Sequence, residues 1–97
     1  MVSLSAKEML ILDLLLSRRE MYGLQLVSES KRRLKRGTVY VTVGRMEDKG
    51  YLTSRLEAAP PEGGGPRRRL YQATGLGRRI LALGNDLARG LAPEAAR

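Results

Sequence analysis

The chain has 97 residues, with 18 Lys+Arg against 10 Asp+Glu, and no His, Cys, Trp or Phe. That is one small domain, long enough to bury a core without disulfides or metals. Without Cys or His, a thiolate nucleophile, an imidazole base and the usual zinc site are excluded. No carboxylate pair stands out, so no catalytic residue, metal or cofactor is expected. The core must be aliphatic, because 17 Leu stand beside only four Tyr. The longest apolar runs, Met9–Leu12 and Leu14–Leu16, are split by Asp13 and fall short of the ~18 residues a membrane span requires. No basic stretch leads into an apolar segment and a cleavage site. The expectation is a soluble cytoplasmic protein with no membrane partner.

The net charge of +8 is unevenly placed. Residues 1–30 carry three basic and four acidic groups, residues 31–69 eleven and four, and residues 70–97 four and two. The segment balances are therefore −1, +7 and +2. An excess gathered in the middle third suggests a face for a polyanion, and nucleic acid is the first candidate. A membrane surface, or a merely solvated face, is the alternative.

Ser5-Ala6-Lys7-Glu8 has the spacing of a capping box, so a helix is expected from there to about Ser17. Met9, Leu10, Ile11, Leu12, Leu14, Leu15 and Leu16 cover roughly 260° of its circumference, where a small monomer needs only about 100° or a little more. The surplus points to a second subunit. Arg18-Arg19-Glu20 reads as a polar turn. Residues 23–30 form a short helix with apolar Leu24, Leu26 and Val27. Lys31-Arg32-Arg33-Leu34-Lys35-Arg36-Gly37 follows, with five basic residues in seven. A third helix is expected from Thr38 to Lys49, with Val39, Val43 and Met46 facing the core and Gly50 ending it.

Tyr51–Glu57 has period-2 character that sends Leu52 and Leu56 to one face. Residues 58–66, rich in Pro and Gly, form a long hairpin tip. Arg67–Thr74 is the returning strand, with Leu70 on one face and Tyr71 and Ala73 on the opposite parity. Thr74 caps a last helix to about Arg89, and Pro93 onward is a frayed tail. The fold expected is mainly α with a small β-hairpin: a winged helix-turn-helix of three N-terminal helices, a two-stranded wing and a C-terminal helix. Residues 1–75 would form the winged helix-turn-helix domain, and 76–97 a dimerisation helix and tail.

Three constellations could carry function. Thr38, Val41, Thr42 and Arg45 lie opposite the core stripe of the third helix. They offer two hydroxyls, a methyl surface for thymine and a guanidinium suited to guanine, which is what a helix in the major groove requires. Lys35, Arg36 and Gly37 sit at the helix N-terminus, where phosphates are favoured. An ordinary solvated face is the alternative. Tyr40 lies on the flank and could reach a phosphate, or could be a plain core tyrosine. The second constellation, Arg67-Arg68-Arg69, stands at the root of the hairpin, beside the DNA backbone or minor groove in a winged helix. Strand alternation prevents all three from facing one way, so one could instead shield a strand edge. The third is Leu76, Ile80, Leu83 and Leu87, spaced as a coiled-coil seam, which could pack on its own domain or on a partner. Leu12, Leu15, Leu16, Ile80, Leu83 and Leu87 are the residues expected at a dimer interface.

Leu34-Lys35-Arg36-Gly37-Thr38-Val39-Tyr40 and Arg45-Met46-Glu47-Asp48-Lys49-Gly50 resemble the Gly-Thr-Leu-Tyr and Arg-Leu-Glu-Glu-Lys-Gly signature of the PadR family of transcriptional regulators. Ile11–Leu16 is similar to the opening helix of that family. Arg69-Leu70-Tyr71-Gln72-Ala73-Thr74 with Gly77 resembles its post-wing Tyr-x-Leu-Thr-x-x-Gly. The resemblance covers about residues 7–82 and is to the short members of the family. It implies a bacterial, homodimeric winged-helix repressor on a palindromic operator of double-stranded DNA, often released by a small-molecule effector. Thr38, Tyr40 and Arg45 carry over as DNA contacts and Arg67–Arg69 as the wing. The expected function is sequence-specific transcriptional regulation. The alternative is a protein-interaction or architectural module that binds nucleic acid without sequence preference.

Overall fold

A computed structural model describes residues 4–58, 63–65 and 67–88. The tail after residue 88 and most of the tip of the hairpin lie outside the described residues. The elements are α1 (Ala6–Arg18), β1 (Met21–Tyr22), α2 (Gly23–Glu29), α3 (Arg36–Asp48), β2 (Leu52–Leu56), β3 (Arg69–Ala73) and α4 (Gly75–Ala88). This is the expected winged-helix order, with one addition.

Helix boundaries follow from their caps. The Ser5 hydroxyl accepts the Glu8 N–H at 3.1 Å, and the Glu8 carboxylate accepts the Ser5 N–H at 2.8 Å, which closes the capping box and starts α1. Helix α3 begins at Arg36, two residues before the expected Thr38, with Lys35 as an N-cap that offers no side-chain bond. The connection from α2 is organised by buried Ser30. Its hydroxyl donates to the Val27 carbonyl at 2.8 Å and accepts the Leu34 N–H at 3.1 Å. Leu34 is fully buried in the middle of the basic run, so the surrounding Lys and Arg side chains are turned outward. At the other end of α3, Gly50 takes φ 82°. The Gly50 N–H bonds the Glu47 carbonyl at 3.0 Å and the Tyr51 N–H the Met46 carbonyl at 2.9 Å. This is the paired closure that favours glycine at that position.

The sheet is three-stranded and antiparallel, in the order β1-β3-β2, where the sequence suggested two strands. Met21 pairs with Tyr71 and Tyr22 with Leu70. A two-residue strand has no period to detect, and it exists because β3 offers it an edge. On β2, Leu52 is 2% exposed and Leu56 48% exposed. The two share a parity as expected, but the hairpin has left the core by Leu56 and nothing covers it.

The core contains Ile11, Leu12 and Leu15 of α1, with Met21, Leu26, Leu34, Val39, Val43, Met46, Leu52, Tyr71 and Leu81. Helices α2, α3 and α4 and strand β3 all pack against α1. This accounts for part of its wide apolar surface, which its own domain encloses on several sides, while Met9, Leu10 and Leu14 stay half-buried. Leu12, Leu15 and Ile80, expected at a dimer interface, are 0%, 1% and 8% exposed within the single chain, so their apolar surface is consumed by their own core. Leu16 and Leu83 remain 36% and 42% exposed. The side chain of Leu87 lies outside the described residues.

Helix α4 begins at Thr74, whose hydroxyl accepts the Gly77 N–H at 3.0 Å and donates to the Gly50 carbonyl at 2.6 Å. One side chain thus joins the start of α4 to the end of α3. A methyl group on Gly77 would overlap the Tyr51 carbonyl oxygen and approach Leu12 Cδ2 to 3.1 Å. Gly77→Ala is therefore expected to cost about 1–3 kcal/mol, the usual range for an overpacked site, measured as a loss in urea unfolding. Substitution of exposed Gly44, where an added methyl meets nothing within 4 Å, should show no such loss.

Glu8 is 8% exposed and bonds Lys49 Nζ at 3.1 Å. Burial pushes its carboxyl pKa up, but the bonds from Ser5 and Lys49 outweigh this and hold it below its ordinary 4.5. A carboxylate depressed in the folded state stabilises above its unfolded pKa, and that contribution disappears as pH falls through the folded value. Glu8→Gln should lower stability at pH 7 and flatten the loss of stability below about pH 4.5, read from urea midpoints across pH 2–7.

Candidate nucleic-acid interface

Helix α3 is held by Val39, Val43 and Met46, all at 0% exposure. At 100° per residue the opposite stripe must face outward. That stripe is Thr38, Val41, Thr42 and Arg45. The structure gathers these side chains in a cleft of about 530 Å³ that Ser5, Lys7, Glu8, Gly37 and Lys49 complete. Val41 is 55% exposed, a large apolar exposure for a β-branched residue on a helix. The polar atoms here are hydroxyls and cations, with Glu8 committed to Lys49 and Ser5.

Lys35 and Arg36 open the helix and are exposed. Among the described residues, Lys35, Arg36, Arg45 and Arg67 enter no ion pair, whereas Arg18, Lys49, Arg55 and Arg68 each bind a carboxylate. The acids Glu47 and Asp48 are exposed at the far end of α3, so the positive end of the helix is its N-terminal end.

Tyr40 is 45% exposed, which removes the plain core alternative. Its ring lies over Gly23, where a Cβ would stand 2.6 and 2.7 Å from two ring carbons and 2.8 Å from the hydroxyl oxygen. Only glycine admits so close an approach. Tyr40, Gly23, Tyr22 and Leu24 line a depression of about 240 Å³ with Arg67, Arg68 and Arg69. Leu24, expected among the apolar residues of α2, is 46% exposed at this place.

The wing arginines divide. Arg67 is exposed and has no partner among the described residues. Arg69 donates to the Ser54 hydroxyl at 3.0 Å, and that hydroxyl donates to Glu47 at 2.7 Å. Arg68 is engaged across the hairpin by Glu57 and covers the Tyr22 ring at 4.3 Å from its centroid. The side-chain bond from Arg68 holds the Glu57 carboxyl below the usual range, and Glu57 raises the Arg68 guanidinium in turn. Arg55, also in the basic middle third, makes two bonds of 2.9 Å to Glu20.

Sequence reasoning missed Ser5, Lys7 and Lys49 as members of the α3 cleft. Lys7 sits in a segment whose net charge is negative, which hid it. The signal was available in the capping box, which places Lys7 in the exposed first turn of α1. No group of three or more acidic, His or Cys side chains that could hold a metal occurs among the described residues. No described helix is long and apolar enough to cross a membrane.

The PadR-like transcriptional regulator family model matches residues 11–83. Among solved structures, a PadR family transcription regulator from Clostridium difficile is similar at 28% identity and TM-score 0.75, over 89% of this chain and 90% of that one. A PadR family transcriptional regulator from Eggerthella lenta is similar at 29% identity and TM-score 0.67, over 86% and 75%. A Streptococcus mutans protein is similar at 26% identity and TM-score 0.71, over 87% and 76%. No curated protein matches the chain. The matched span takes in α3, its caps and the wing strands, and on that ground the chain belongs to the PadR-like family of transcriptional regulators, DNA-binding proteins and not enzymes.

Proposed function

We propose that the protein is a homodimeric repressor of the bacterial cytoplasm that reads a palindromic operator through α3. The observation that carries this reading is the outward stripe of Thr38, Val41, Thr42 and Arg45, where Arg45 and the flanking Lys35 and Arg36 enter no ion pair among the described residues. In the major groove, hydroxyls and a valine methyl suit base edges and thymine, and a guanidinium suits guanine. Residues 1–75 supply the DNA-binding domain in this reading, and 76–97 the dimerisation helix and tail. Leu76 and Leu83 stand seven residues apart on α4, 39% and 42% exposed, while Ile80 and Leu81 face the core. A partner that covers this stripe would place two copies of α3 in successive turns of groove, as a palindrome requires.

Selection from a random DNA pool tests the reading. A palindromic consensus is the expected result, and recovery of unenriched DNA at every salt concentration would favour the architectural alternative. Arg45→Ala should cost about 1–3 kcal/mol on the selected site and relax the choice at one position per half-site. A loss equal on all sequences would move Arg45 to the phosphates. Thr38→Ala should weaken binding modestly with unchanged preference.

Leu83→Glu should dissociate the dimer without unfolding the domain, because Leu83 is already exposed in the single chain. Sedimentation that finds wild-type protein monomeric at micromolar concentration would defeat the dimer.

A further inference from the structure

Arg67 and Arg68 lead into β3, which Arg69 opens, and although all three line one depression, the middle one has a different environment from its neighbours. Arg68 Nε and Nη2 bind Glu57 Oε1 at 2.9 and 2.8 Å, and the Arg68 backbone N–H bonds Glu57 Oε2 at 3.1 Å. The Glu57 N–H returns a bond to the Arg68 carbonyl at 2.8 Å. The face of the guanidinium lies on Tyr22, 4.3 Å from the ring centroid. The Glu57 side chain is only 16% exposed beneath it. Arg68 thus has Nε, Nη2 and one π-face engaged, by Glu57 just past β2 and by Tyr22 of β1, with 43% of its side chain still exposed.

We propose that Arg68 is a positioning residue of the wing: held by Glu57 and Tyr22, it sets the hairpin against the α2–α3 unit, while Arg67, which has no partner among the described residues, meets a DNA phosphate. The path of contacts supports this. Tyr22 is the N-cap of α2 and pairs with Leu70 of β3. The adjacent Gly23 lies under the ring of Tyr40 on α3. Arg68, Tyr22, Gly23 and Tyr40 line one depression, so a change at the root of the wing reaches the reading helix through three packed groups. Release of Arg68 to a phosphate would also leave the Glu57 carboxylate unpaired beside the polyanion, and like charges at that distance repel. Arg67 has no such obligation.

The inference rests on the DNA-binding reading above, and the salt dependence of binding separates the two. Full-length protein is titrated against a labelled duplex carrying the selected site, or a random 30-base-pair duplex if selection gives none, at several salt concentrations. Each phosphate contact contributes a slope of about 0.9 in log affinity against log salt. Arg67→Gln should lower the slope by about one. Arg68→Gln should weaken binding several-fold at every salt with the wild-type slope. Glu57→Gln should do the same, and the double variant should be no weaker than either single one. Tyr22→Leu, which removes the ring under the guanidinium, should likewise weaken binding with the wild-type slope.

Melting temperatures check the fold. If Arg68→Gln does not fold, Arg68→Lys keeps the charge but loses the fork: a positioning role predicts weaker binding with an unchanged slope. The proposal is overturned if Arg68→Gln lowers the slope by about one, if Glu57→Gln binds more tightly with a steeper slope, or if both variants bind as wild type does. Absence of any salt-dependent DNA binding by the wild type would instead defeat the DNA-binding reading itself.

Discussion

The enclosure of α1 is the constraint on which the rest of the molecule depends. Ile11, Leu12 and Leu15 are essentially inaccessible to solvent, and the three other helices and β3 are arranged around them. Because Val39, Val43 and Met46 must complete that core, the rotation of α3 about its axis is fixed. Its outward stripe is then a geometric consequence of burial. The same packing brings the first turn of α1, with Ser5 and Lys7, to the edge of the α3 cleft. A readable surface and a stable core are two faces of one helix orientation.

The polar contacts do a different job. The pairs Arg55–Glu20 and Arg68–Glu57 lie at the surface, where ion pairs add little to stability because water screens them and long side chains must be ordered. Their effect is geometric. Arg55 ties β2 to the turn before β1, and Arg68 ties the hairpin to Tyr22. The chain from Arg69 through Ser54 to Glu47 ties β3 to α3. A short hairpin leaving the core at Leu56 has no apolar packing of its own to set its angle, so directional bonds set it. Two of the acids in the basic segment, Glu47 and Glu57, thereby have a geometric role.

The features readable in the sequence were those encoded within a few residues. Ser5 with Glu8, Gly50 after α3, Thr74 before α4 and the Val39/Val43/Met46 spacing each specify a local hydrogen bond or a helix face, and each is found where local chemistry put it. The outward set of Thr38, Val41, Thr42 and Arg45 was legible for the same reason. What was not legible depends on partners distant in the chain. Strand β1 exists through pairing with β3 some fifty residues away. Much of the apolar breadth of α1 is taken up by elements that only the tertiary fold brings near, so a count of apolar positions could not tell Leu12 and Leu15, which are buried in their own domain, from Leu16, which stays exposed. The engagement of Arg68 needs Glu57, eleven residues away across the hairpin, and the tract of three arginines gives no sign of it. The start of α3 at Arg36 escaped because its N-cap, Lys35, offers no side-chain bond.

The seam on α4 shows how one spacing can merge two faces. Leu76, Ile80, Leu83 and Leu87 step by four, three and four in the sequence, yet Ile80 turns into the core while Leu76 and Leu83 stay exposed. Gly77 decides this. The close approach of its backbone to Tyr51 and Leu12 pulls the Gly77/Ile80/Leu81 side inward, since no other residue lets the helix lie so near. The heptad pair Leu76 and Leu83 is then rotated out by roughly a quarter turn at 100° per residue. A glycine chosen for contact inside the domain therefore also determines which leucines are presented outside it.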